Sequence, residues 1–145
     1  MGWLFNKNDS KKDSNQPSEM SPIEAVTYIC TAIQLSDGEI DFSEKNIWEE
    51  MISELFPDFS DQRALKFFTD AQLILNKKSS DEKNIFINEV LKRIKTLLNN
   101  NQIEFFGNQV SKLIEADGIV MSGEIEIAKL IENVLNIKIK IDHEL

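Results

Sequence analysis

Two stretches of this chain carry carboxylates at a spacing that could hold a metal ion. They are Asp37-Gly38-Glu39-Ile40-Asp41-Phe42-Ser43-Glu44 and, eighty residues later, Asp117-Gly118-Ile119-Val120-Met121-Ser122-Gly123-Glu124. Both read Asp-Gly-x-(Ile/Val)-x-x-x-Glu. Against the calcium loop of an EF-hand, Asp37 falls at position 5, Gly38 at 6, Ile40 at 8, Asp41 at 9 and Glu44 at 12. Positions 1 and 3 are Ile33 and Leu35 in the first copy, and Leu113 and Glu115 in the second, so the leading aspartates are missing and an EF-hand sensor is excluded.

What survives is a half-site for a hard cation, Ca²⁺, Mg²⁺ or Mn²⁺, with Asp37, Glu39, Asp41, Glu44, Asp117 and Glu124 as candidate ligands. The same residues have a plainer use. Asp-Gly suits a helix-ending turn, and a glutamate in the first turn of a helix is stabilised by the positive end of its dipole without any metal. The second copy is the poorer one: Ile119 stands where Glu39 stands, Met121 where Asp41 stands and Gly123 where Ser43 stands. A single cation site would therefore centre on the first loop.

Each acidic stretch lies between two helical patterns, and the correspondence extends beyond the octamers. Ile33 aligns with Leu113, Ile47 with Ile127, Met51 with Ile131 and Leu55 with Leu135 at the same offset. This is an internal duplication of roughly 34 residues. Ser21-Pro22-Ile23-Glu24 opens the first helix, to about residue 36, as a capping box with proline at the first helical position. Asp41 and Glu44 form a second box, and Pro57 ends helix 2. Ser60 caps helix 3, Ser80 starts a long helix 4, and Asn99-Asn100-Asn101 closes it. Helices 5 (about 102–116) and 6 (about 122–136) surround the second acidic loop. Ile137-Lys138-Ile139-Lys140-Ile141 alternates with period two and is expected to dock as an extended segment.

The expected fold is all-α: one domain over 22–136, with two related helix-loop-helix units flanking a central helical pair, followed by a tail over 137–145. Residues 6–20 hold almost nothing apolar and read as a tether. Together with the apolar head Trp3-Leu4-Phe5 they make up an N-terminal segment over 1–21, in which the head is a candidate docking element for a protein groove, three apolar residues being too few for firm membrane anchorage.

The formal net charge is −9, and residues 22–60 carry nine acids against the single Lys45. That is the wrong sign for releasing counterions from phosphate, so nucleic acid is excluded and cations or protein surfaces are the expected partners. No apolar run is long enough to span a bilayer, and the apolar start is too short for a secretory signal, so the expected location is the cytoplasm. Cys30, the only cysteine, lies in an apolar helical pattern as a small hydrophobe. His143, the only histidine, is third from the end, and no nucleophile–base pair, phosphate loop or zinc motif accompanies it. An enzyme is not expected.

The motif Ala/Ser-Asp-Gly-x-Ile/Val-x-x-x-Glu, present as Ser36–Glu44 and Ala116–Glu124 near both ends of a helical domain, resembles the TerB domain. That family is associated with bacterial tellurite resistance and stress systems, and similar domains occur in a membrane-anchored DnaJ-type co-chaperone. The resemblance covers about residues 22–136. It implies a non-catalytic all-α domain whose acidic residues bind metal or face partners, with Asp37, Glu44, Asp117 and Glu124 at the matching positions. A metal-independent adaptor or co-chaperone-type scaffold is the other expectation it leaves open.

Overall fold

The computed structural model describes residues 16–36, 42–116 and 121–141, without the side chains of 42–44. The described residues form a short 3₁₀ turn, Pro17–Glu19, and six α-helices: α1 (Pro22–Leu35), α2 (Phe42–Leu55), α3 (Asp61–Asn76), α4 (Ser80–Leu97), α5 (Asn100–Ile114) and α6 (Ser122–Leu135). There is no strand among them, as the helical periodicity requires.

The helix starts follow from short polar side chains that satisfy otherwise orphaned N–H groups. The Ser21 hydroxyl accepts from the Glu24 amide at 3.3 Å while the Glu24 carboxylate accepts from the Ser21 amide at 3.4 Å. The Ser60 hydroxyl accepts from the Arg63 amide. At α4 the reciprocal pair is Ser79 with Glu82, so the cap lies one residue before the expected Ser80. Asn99, expected only to close helix 4, also opens α5 through a box with Gln102. That moves α5 two residues earlier than its apolar pattern alone suggests, because the cap, not the first apolar residue, defines a helix start.

Helix α1 is the spatial centre. Eleven consecutive residues, Glu24 through Gln34, are buried, and α1 packs against all five other helices. A helix wrapped on every side needs apolar residues all round, and Ala25, Val26, Ile29, Cys30, Ala32 and Ile33 supply them. The sequence-central pair α3 and α4 therefore lies against α1 and does not form the middle of the molecule. Helix α2 packs on α5, and α4 on α6. Trp48 of α2 joins α3 by stacking on Phe68, ring centroids 4.8 Å apart, and its indole N–H donates to the Thr27 hydroxyl of α1 at 3.1 Å. The ring thus buries a large apolar area without orphaning its donor.

Of the eight residues aligned across the duplication, Ile33, Met51, Leu55, Leu113, Ile127, Ile131 and Leu135 are buried, and Ile47 packs half-buried against the same cluster. Core membership extends past the expected domain limits, to Met20 and Ile139. The Met20 carbonyl accepts from Arg93 Nε of α4 at 2.9 Å, which pins the entry of the chain. Beyond α6, Asn136 ends the helix in the left-handed conformation (φ 61°), and the following residues belong to no regular element, with Ile137, Ile139 and Ile141 turned toward the core and Lys138 and Lys140 exposed. The Ile139 amide donates to Glu132 at 2.8 Å, the Ser111 hydroxyl donates to the Lys140 carbonyl, and Ile137 lies over Gly107, where a side chain would collide with it. No helix of the described residues is long and apolar enough to cross a membrane.

Candidate functional site

The acidic loops are flanked by α1 and α2, and by α5 and α6. Asp37, Glu39, Asp41 and Asp117 lie outside the described residues, as do Gly38 and Gly118; Glu44 is described in its backbone only. The head residues Trp3, Leu4 and Phe5, and His143, also lie outside them. Of the six candidate ligands, Glu124 alone has a described side chain.

Glu124 is buried, with no exposed surface, and one carboxylate oxygen accepts from the Met121 amide at 2.9 Å. Methionine offers no capping oxygen, so the glutamate supplies only the returning half of a capping box. That geometry gives Glu124 the plainer of its two expected uses, a helix cap. Its counterpart Glu44 occupies the same third position of α2.

One close approach links the two units. A Cβ on Gly123 would lie 3.2 Å from Ser36 Cβ and 3.3 Å from the Ser36 carbonyl oxygen. Ser36 is the residue before Asp37, and its hydroxyl donates to the Ile33 carbonyl at 2.6 Å, which ties it to the end of α1. The glycine that looked in sequence like a loss from the second loop is thus the contact that lets the first turn of α6 meet the shoulder of the first loop. Its sequence signal is a glycine in a first helical turn where the other copy has serine.

Beside this contact is a hollow of about 160 Å³ lined in part by Ser36, Lys83, Asn84, Gly123 and Glu126. One carboxylate and one ammonium face it, so the hollow itself is not a cation cage. Among the described residues no group of three or more histidine, cysteine, aspartate or glutamate side chains could hold a metal. Cys30 is buried, its thiol pushed up to about 12 by desolvation, and it contacts the Met51 sulfur at 3.7 Å; it acts as core, as its surroundings in sequence suggest.

One acid outside both loops is strongly shifted. Glu24 is buried at the start of α1, and desolvation raises it to about 7, opposed by its hydrogen bond with the Ser21 backbone. Asp70 on α3 raises it further, while Arg63 and Lys66 pull it down. Tyr28, one turn on, is shifted upward by burial, and its hydroxyl has no hydrogen-bond partner among the described residues. A half-protonated carboxyl near neutral pH is the chemistry of a general base; Glu24 itself is buried at its helix start, where it serves the capping box with Ser21.

Comparison of the chain with protein-family models, with curated proteins and with solved structures returns no match, so its fold and chemistry stand on its own residues.

Proposed function

We propose that the chain is a non-catalytic, TerB-like stress-response protein that binds a hard divalent cation weakly at its first Asp-Gly loop. The observation that supports this reading is the approach of Ser36 to Gly123, which sets the entrance of the first acidic loop against the first turn of the helix that follows the second. Asp37 and Glu44 are the main ligands, with help from Glu39 or Asp41, and Asp117 or Glu124 is the contribution of the second loop. Nine acids against one lysine over 22–60 raise the local cation concentration.

A cation that binds only the folded chain must raise its melting temperature. With dissociation near 10⁻³ M, about 10 mM Ca²⁺ or Mn²⁺ stabilises by about 1.4 kcal/mol, a rise of a few degrees for a chain of this size. The check is thermal unfolding with and without the cation at matched ionic strength; melting curves that coincide remove the cation.

The second reading, a metal-independent adaptor, is favoured by the capping role of Glu124. If the acidic residues at matching positions are all caps, function lies on the surface, where Leu73 and Ile85 are 57% and 67% exposed.

A further inference from the structure

The apolar head Trp3-Leu4-Phe5 is separated from Gln16, the first described residue, by residues 6–15. Six residues after Gln16 the chain reaches Pro22, which forms one wall of an open hollow of about 320 Å³. Its other walls are Ile23 of α1 and the turn after α2, Phe56 through Phe59. Phe59 also lines a second hollow, of about 310 Å³, between α2 and α3, where Leu65 contributes exposed apolar surface and the buried Trp48 and Ile52 lie behind it. Phe56 and Phe59 are only half-buried and Leu65 is 42% exposed. Phe56, Phe59 and Leu65 thus leave a small apolar surface open to water along the two hollows.

We propose that Trp3-Leu4-Phe5 of the same chain docks in this double hollow. Reach permits it. Gln16 and Pro22 cannot be more than about 22 Å apart, while the ten-residue segment 6–15 can span up to about 36 Å. Charge favours it. Lys7, Lys11 and Lys12 outnumber Asp9 and Asp13 in the segment after the head, and the hollows carry Glu49, Asp58 and Asp61. Two aromatic rings and a leucine are apolar enough to cover the exposed faces of Phe56, Phe59 and Leu65. A short tether keeps the head at millimolar effective concentration, so a contact too weak to hold two separate molecules holds within one. The docked head occupies the apolar surface that a protein partner would otherwise take, so head and partner compete for it. This inference stands independently of the cation reading.

Paramagnetic broadening tests it. Native Cys30 is buried, so a nitroxide attaches selectively to an introduced Ser10→Cys, outside the head. The expected result is strong broadening of the Ile23, Asp58, Phe59 and Leu65 amides. In the same labelled chain, Trp3→Ala with Phe5→Ala lowers the effect at Phe59 and Leu65 several-fold, and so does Leu65→Asp, whose exposed position leaves folding intact. Broadening that is absent, or that persists unchanged without the two aromatics, overturns the proposal. So does broadening in a mixture of spin-labelled ¹⁴N chain with unlabelled ¹⁵N chain, since the occupant would then be the head of a second copy.

Discussion

Residue by residue, the buried polar groups of α1 divide into those with partners and those without. Thr27 accepts the Trp48 indole N–H, and Thr31 donates to the Thr27 carbonyl at 2.7 Å. Gln34 is fully buried with both amide atoms lacking a hydrogen-bond partner among the described residues. A buried, unpaired amide costs about 1–3 kcal/mol, so Gln34→Leu, close in size, should stabilise by an amount of that order in urea unfolding. Unchanged or lowered stability would mean that the amide is satisfied after all. Glu24 makes a pH prediction. Its folded value of about 7 lies above the ordinary 4.5, so the folded chain holds the proton more tightly. Its contribution is fully present below about pH 4.5 and is lost as pH rises through about 7. Glu24→Gln keeps the capping acceptor and removes the charge. The variant should therefore melt close to wild type near pH 5 and clearly above it near pH 8; a Tm difference independent of pH contradicts this.

At the scale of elements, the helices were legible because caps and periodicity agree. Ser21-Pro22, Ser60 and the alternating tail each carry a local signal, and the two helices start and the tail docks where that signal lies. Ser79 and Asn99 were mislocated by one residue or read only as a stop, because Ser-Ser and Asn-Asn-Asn offer several equivalent caps and only geometry selects one. Packing was far less legible. The all-round apolar run of α1 signals a buried helix, but local patterning does not tell which helices surround it, or that Gly123 meets Ser36, since both depend on contacts distant in sequence. The candidate site was legible as a motif: the spacing of Glu124 from Asp117 suits a ligand and a cap equally, and one of its oxygens accepts from the Met121 amide as a cap does. Gly123→Ala probes the junction. The added methyl would press on the Ser36 carbonyl, while alanine gains up to about 1 kcal/mol of helix propensity, so net stability should change by less than about 1 kcal/mol. Cation affinity should nevertheless fall, because the shoulder of the first loop is displaced. Equal affinities from calcium titrations of both proteins would detach the junction from the binding reading.

For the whole molecule, the acidic regions 22–60 and 101–145 lie at the two ends of the sequence, yet α1 touches α5 and α6 as well as its own neighbours. A core shared by both copies of the motif is how a chain with one incomplete loop and one degenerate loop could assemble a single weak site. Whether the first loop takes a hard cation is decided by isothermal titration of Ca²⁺ into wild type and into the double variant Asp37→Asn/Glu44→Gln. Asparagine and glutamine match the size of the acids they replace, so the variant removes ligand charge with little change in volume. The account predicts saturable heats for wild type with dissociation on the order of 10⁻⁴ to 10⁻³ M, and their loss in the variant. Equal heats from the two proteins would contradict it and leave the loop a capped turn.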